Sequence, residues 1–123
     1  MVIAERRARK SPLDVYIQCS YNVVVVGTLR ITWDPRKNRT NARRHRVSFE
    51  EAATAFYDEN AILIDDPDHS RDEERFVLLG LSSALRLLVV CHCYRARPDV
   101  IRIISAWKAD RMERQSYFER FKS

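Results

Sequence analysis

Three groups of residues in this chain have types and spacings that chemistry uses. Cys91-His92-Cys93 offers two thiolates and an imidazole, the donor set of a zinc site. On a strand, however, alternate side chains leave opposite faces, so Cys91 and Cys93 share one face and His92 takes the other. No second Cys or His pair stands at ligand spacing, and the triplet reads as two small core thiols with a histidine across the sheet. The second group is acidic: Asp65, Asp66, Asp68, Asp72, Glu73 and Glu74. Carboxylates suit Mg²⁺, but the stretch lacks the glycine and alternating ligands of a calcium loop, and it reads as a solvated loop. Within it stands His69, one of three histidines, whose imidazole titrates near neutrality. The third group is cationic: Arg102, Lys108, Arg111 and Arg114, with Arg75 opening a neighbouring strand. Lys108 and Arg111 are three apart across the start of the last helix and are expected to face the same way. Converging cations of this kind hold a phosphate and stabilise the charge of a pentacovalent transition state. The plainer alternative is surface charge with helix pairs such as Asp110 and Arg114.

The elements that position these residues are legible from pattern. Leu29 to Trp33 is a short strand. Asp34-Pro35 places an N-cap before a proline at the first helical position, so a helix runs to about His45. It is polar on most faces, with Arg36, Lys37, Arg39, Arg43 and Arg44. Ser48 and Glu51 form a capping box, and Phe49, Ala52, Ala53 and Phe56 give the next helix one apolar stripe. Ala61 to Ile64, Arg75 to Leu81, Leu85 to Tyr94 and Val100 to Ala106 are strands, and Ala109 to Lys122 is a closing helix with Met112, Tyr117 and Phe121 facing inward. Short connections between the later strands imply an antiparallel meander. The class is α+β: an antiparallel sheet with helices packed on one face, in the order β-α-α-β-β-β-β-α. Residues 1–28 form an N-terminal extension of uncertain order, and residues 29–123 form the domain. Within the extension, the β-branched and aromatic run from Tyr16 to Val26 is a candidate added strand.

Composition narrows the partners. The 123 residues carry 22 Lys and Arg against 17 Asp and Glu, a net charge of +5, which favours a polyanion. All but Lys10, Lys37, Lys108 and Lys122 of these cations are arginine, the better bidentate ligand for phosphate. Three cysteines, Cys19, Cys91 and Cys93, without a secretory signal point to a reducing, cytoplasmic setting, and no apolar stretch is long enough to span a membrane. With Gly27 and Gly80 as the two glycines, glycine-rich phosphate cradles are excluded, and no nucleophile elbow or zinc-hydrolase motif is present. Any catalysis is therefore expected to be acid–base chemistry by side chains, with no cofactor and no metal.

Several motifs in order then resemble a known family. Trp33-Asp34-Pro35-Arg36-Lys37, Asn41 and His45 through Ala52 resemble the N-terminal signature of the BrnT toxins. Asp66 through Ser70, Glu73 through Phe76 and Gly80-Leu81 are similar to its middle, and Ile101 through Ala106, Lys108-Ala109, Arg111, Glu113-Arg114 and Tyr117 to its end. The resemblance covers about residues 29–119. It implies a RelE-like ribonuclease fold and the toxin half of a type II toxin–antitoxin pair that inhibits translation by cleaving RNA. The implied partner is a BrnA-like antitoxin, a ribbon-helix-helix protein that binds DNA, so that DNA is contacted only through the antitoxin. A non-catalytic basic module that binds RNA or protein is the alternative. In the implied mechanism Lys108 and the arginines bind the RNA backbone, Glu74 or His69 is the general base for the ribose 2′-hydroxyl, and Arg75, Arg102 and Arg111 stabilise the transition state. The chain departs from the family pattern at Trp107, where an arginine usually precedes the lysine, and at Arg97-Pro98, which replaces a hairpin glycine.

Overall fold

The computed structural model describes residues 23–26, 29–65, 75–94 and 100–121. In chain order the elements are β1 (Val23–Val26), β2 (Leu29–Thr32), α1 (Pro35–His45), α2 (Phe49–Thr54) running into a single 3₁₀ turn (Ala55–Tyr57), β3 (Ile62–Asp65), β4 (Arg75–Leu81), β5 (Leu87–Tyr94), β6 (Val100–Lys108) and α3 (Arg111–Glu119). The α+β class and the expected element order are present, with β1 added ahead of them. β1 lies inside the stretch set apart above as an extension and pairs antiparallel with β2.

The six strands form one sheet in the order β1-β2-β6-β5-β4-β3. β3 to β6 make the expected antiparallel meander. β2 instead runs parallel to β6, Arg30 to Thr32 lying beside Val100 to Arg102. A parallel neighbour requires a crossover, and here α1, α2 and the meander together make it. The last described strand therefore lies inside the sheet and joins β2 to β5.

Alternation along the strands gives the sheet two buried faces. Ile31, Leu78, Leu88, Val90, Ile101, Ile103 and Ala106 meet Val47, Phe49, Ala52, Ala53 and Phe56 from the helical side in the main core. The interleaved residues Leu79, Leu87 and Val89 pack with Tyr117 of α3 in a smaller cluster. Helices on a single face thus describe α1 and α2, whereas α3 serves the other face. The reason is visible in β5, which is apolar at nearly every position rather than at every second one, and so needs cover on both sides. In α3, Tyr117 is buried as expected and Met112 is exposed; the helix ends at Glu119 rather than near Lys122, and Phe121 beyond it is exposed as well.

Local signals explain the helix ends. Asp34 accepts the Arg36 N–H at 2.8 Å, and Ser48 Oγ accepts the Glu51 N–H at 3.0 Å. The expected capping box at Ser48 is half made. The Glu51 carboxylate turns to Arg86 and to Ser82 Oγ at 2.7 Å, pinning α2 to the β4–β5 turn. The complete capping box is at α3, where Asp110 and Glu113 exchange bonds of 2.8 Å, so that helix starts after Asp110 rather than at Ala109. Leu85 adopts a left-handed turn conformation, which delays β5 to Leu87. At Gly80 an added Cβ would stand 2.9 Å from the Ala55 carbonyl oxygen, so glycine lets the 3₁₀ turn close onto β4.

Candidate phosphate-binding site

The sheet register decides which of the sequence-predicted cations meet. Arg75 on β4 lies opposite Cys93 on β5, and Cys93 lies opposite Arg102 on β6. The three residues form one row across neighbouring strands and share a face, with strands ~4.8 Å apart. Arg75 and Arg102 are thereby brought together as expected. Both are half-buried, and among the described residues Arg75 Nε is buried without a hydrogen-bond acceptor. A buried guanidinium N–H in that condition is costly to leave unsatisfied, and an anion would satisfy it.

Lys108 and Arg111 are elsewhere. Lys108 stands six positions beyond Arg102 on β6, ~20 Å along a strand, so one phosphate cannot touch both ends. Lys108 closes β6 while Arg111 opens α3, with the N-cap Asp110 between them. Helical spacing therefore does not relate the two, and both are exposed. His69, Glu74 and the acidic stretch from Asp66 to Glu73 lie outside the described residues. Arg97-Pro98 does also.

The buried His92 is structural in its surroundings. Its ring sits among Phe56, Phe76 and Tyr94, with centroids 5.0 to 6.2 Å away. Burial depresses its pKa to about 4, against the small opposing effect of its contact with the Val90 carbonyl. Cys91 and Cys93 are buried from the opposite face. Among the described residues no cluster of three His, Cys, Asp or Glu side chains has metal-binding geometry.

Pattern reasoning missed a groove between α1 and β6. It has a volume of about 280 Å³ and is lined by Arg36, Lys37, Thr40, Arg44 and His45 of α1, with Ile104 and Ser105 of β6. Two features build it. β2 covers the flank of β6 only as far as Arg102, so the remaining flank is open to α1. There Asn41 replaces a strand: its Oδ1 accepts the Ala106 N–H at 3.1 Å, and its Nδ2 donates to the Ala106 and Val47 carbonyls at 2.7 and 2.9 Å. In addition, the ladder slips between Cys91 and His92, so that Ile104 has no partner on β5. A bulge of this kind re-aims side chains, and it turns Ile104 and Ser105 to the groove floor.

The groove runs between the two separated cation groups. At the start of α1, Arg102 is close enough to Asp34 to add to the lowering of its pKa, of which the Arg36 backbone N–H is the first cause. At the far end, the His45 ring stands 6.2 Å from that of Trp107, the neighbour of Lys108. Trp107 is half-buried and packs with the cluster around Tyr117. A signal for the groove was present in the sequence. α1 carries five Lys and Arg and no acid, and two of those cations occupy its first turn, where the helix dipole disfavours them.

The fold and groove define a small α+β domain with a cationic surface beside a sheet edge. The family model for the ribonuclease toxin BrnT of type II toxin–antitoxin systems matches residues 33–113, well over half of the chain. The chain therefore belongs to the BrnT toxin family, whose membership in type II systems implies a protein antitoxin as partner. Among solved structures it is similar to the crystal structure of the Brucella abortus ribonuclease toxin BrnT, with a TM-score of 0.50 and 19% identity, over 66% of this chain and 96% of that one. At that identity the likeness speaks for the fold. No curated protein matched the chain. No described helix is long and apolar enough to cross a membrane.

Proposed function

We propose that this chain is an endoribonuclease that inhibits translation by cutting RNA and is held inactive by a BrnA-like, ribbon-helix-helix antitoxin. The observation that carries this reading, beside the family match, is the row of Arg75 and Arg102, two half-buried guanidiniums on one sheet face with Cys93 between them. In the proposed reaction the ribose 2′-hydroxyl attacks the adjacent phosphorus, the bond to the 5′-oxygen breaks, and the products carry a 2′,3′-cyclic phosphate and a 5′-hydroxyl. The nucleophile is the substrate's own hydroxyl, so no metal is needed. Glu74 or His69 takes its proton, and Arg75 and Arg102 offset the growing charge on the phosphoryl oxygens. Lys108 and Arg111, lying at the other end of β6, hold a different stretch of the same strand.

The test uses the purified full-length chain and a single-stranded RNA labelled with a fluorophore and a quencher. Cutting is expected with EDTA present, and a substrate with 2′-deoxyribose throughout should stay intact. Arg75→Ala and Arg102→Ala should each slow cutting by ~100-fold or more, with unchanged melting. Cleavage of the deoxy substrate would refute the 2′-hydroxyl mechanism. A folded wild-type protein that binds RNA and leaves it whole would establish the non-catalytic module instead. Reversal of growth arrest by a co-expressed ribbon-helix-helix protein, with capture of the complex, tests the partner.

A further inference from the structure

We infer that the groove between α1 and β6 is a phosphate track for single-stranded RNA, linking the Arg75–Arg102 row to Lys108. The inference rests on the RNA-directed reading above and assigns residues that the catalytic reading leaves unused. Arg36, Lys37, Arg44 and His45 line the groove, and none of the three Arg and Lys side chains has an ion pair among the described residues. Arg36 and Lys37 stand in the first turn, against the helix dipole. A phosphate bound there relieves that repulsion and meets the dipole favourably. α1 has 11 residues and is ~16 Å long, close to the distance β6 covers from Arg102 to Trp107. The track therefore reaches from Arg102 to the pair of rings formed by His45 and Trp107, where a base can stack.

The lining favours a polynucleotide over an acidic peptide. A docked peptide helix needs apolar anchor pockets at regular spacing, and Ile104 is the one large apolar residue that lines this groove. Guanidinium groups and the hydroxyls of Thr40 and Ser105 suit phosphate oxygens. Asn41, buried beneath, fixes α1 to β6 and so holds the groove at constant width.

The probe is a fluorescent single-stranded octanucleotide with 2′-O-methyl ribose throughout, which cannot be cut by attack of a 2′-hydroxyl. Its affinity is followed by anisotropy over a series of KCl concentrations. In the double variant Arg36→Ala with Arg44→Ala, the slope of log K against log salt should shrink by ~1.4, or ~0.7 for each lost phosphate contact. Affinity at low salt should fall at least tenfold. The charge-conserving variant Arg36→Lys with Arg44→Lys should keep most of the slope. Both arginines are exposed, so melting should not change. Unaltered affinity and slope in the alanine variant would overturn the track. Loss of antitoxin capture with oligonucleotide binding intact would overturn it in favour of an acidic protein partner. Wild-type protein that binds the probe through these arginines and yet cuts no RNA would uphold the track and refute the catalytic reading alone.

Discussion

Replacing Asn41 by alanine tests the element on which the groove depends. The side chain makes three buried hydrogen bonds: from Nδ2 to the carbonyls of Val47 at 2.9 Å and Ala106 at 2.7 Å, and from the Ala106 N–H to Oδ1 at 3.1 Å. At ~1 kcal/mol each, their loss amounts to about 3 kcal/mol, and the buried Ala106 N–H, left without an acceptor, adds ~1 more. Alanine is the better helix former, which offsets about 0.6 kcal/mol. The net cost is about 3 kcal/mol, or a fall of ~12 °C in melting temperature for a domain of this size. Calorimetry and urea unfolding measure it, and hydrogen exchange at the Ala106 amide should speed up well beyond the change in global stability. Asn41→Asp adds a directional check. The new carboxylate keeps the acceptor for Ala106 N–H but faces two carbonyl oxygens, so the protein should be less stable at neutral pH than in acid. A fall in melting temperature of less than ~3 °C for the alanine variant, with the Ala106 amide still protected, would refute the view that Asn41 stands in for a strand.

Three further outcomes follow from the packing. Gly80→Ala drives a methyl to within 2.9 Å of the Ala55 carbonyl oxygen and should cost ~1–3 kcal/mol by urea unfolding. Tyr117→Phe removes the 2.5 Å bond to Asp58 Oδ2, which also accepts the Leu81 N–H, and should lower stability by ~1–2 kcal/mol while leaving RNA binding unchanged. His92 is depressed to about 4 by burial, from an ordinary value near 6.5. The unfolded chain therefore binds the proton first, so stability is intact above pH ~6.5 and declines as pH falls towards 4, by at most ~1.4 kcal/mol per pH unit. His92→Phe should flatten the melting temperature between pH 6.5 and 5, and an unchanged slope in that variant would refute the assignment.

What the sequence revealed and what it hid divide along the distance of the interaction. Asp34-Pro35 and Ser48 announced their helices because a cap is made within three residues. The strands from Arg75 onward were legible from runs of branched and apolar residues. Glu51 was misread because its partner, Arg86, is 35 residues away and outcompetes the local backbone N–H of Ser48. The Asp110–Glu113 box, by contrast, was local and was overlooked beside the adjacent Lys108-Ala109 motif. The pairing of β2 with β6 leaves no mark in either strand, since it is set by where the helices return the chain. Arg75 was expected to approach the C-terminal cations, and antiparallel register carries it into one row with Arg102, two strands away. The grouping with Lys108 and Arg111 failed because a strand, unlike a helix, separates residues by their full extended length. The groove stayed hidden for a related reason: a helix covered in arginine reads as a solvated face until its neighbour is known.

The place of β6 has a consequence for how the protein comes into being. This strand is the seam between β1–β2 and β5–β4–β3, and it is made after the other five described strands. Until residues 100–108 leave the ribosome, β2 has no partner on that flank and Asn41 has no Ala106 to hold. The floor of the groove and Arg102 do not yet exist. On the function proposed above, a nascent chain that has not yet released β6 lacks the surface that would meet RNA. The proposed RNA-binding surface is assembled in one step, when β6 joins strands already made and gives an antitoxin a folded surface to meet.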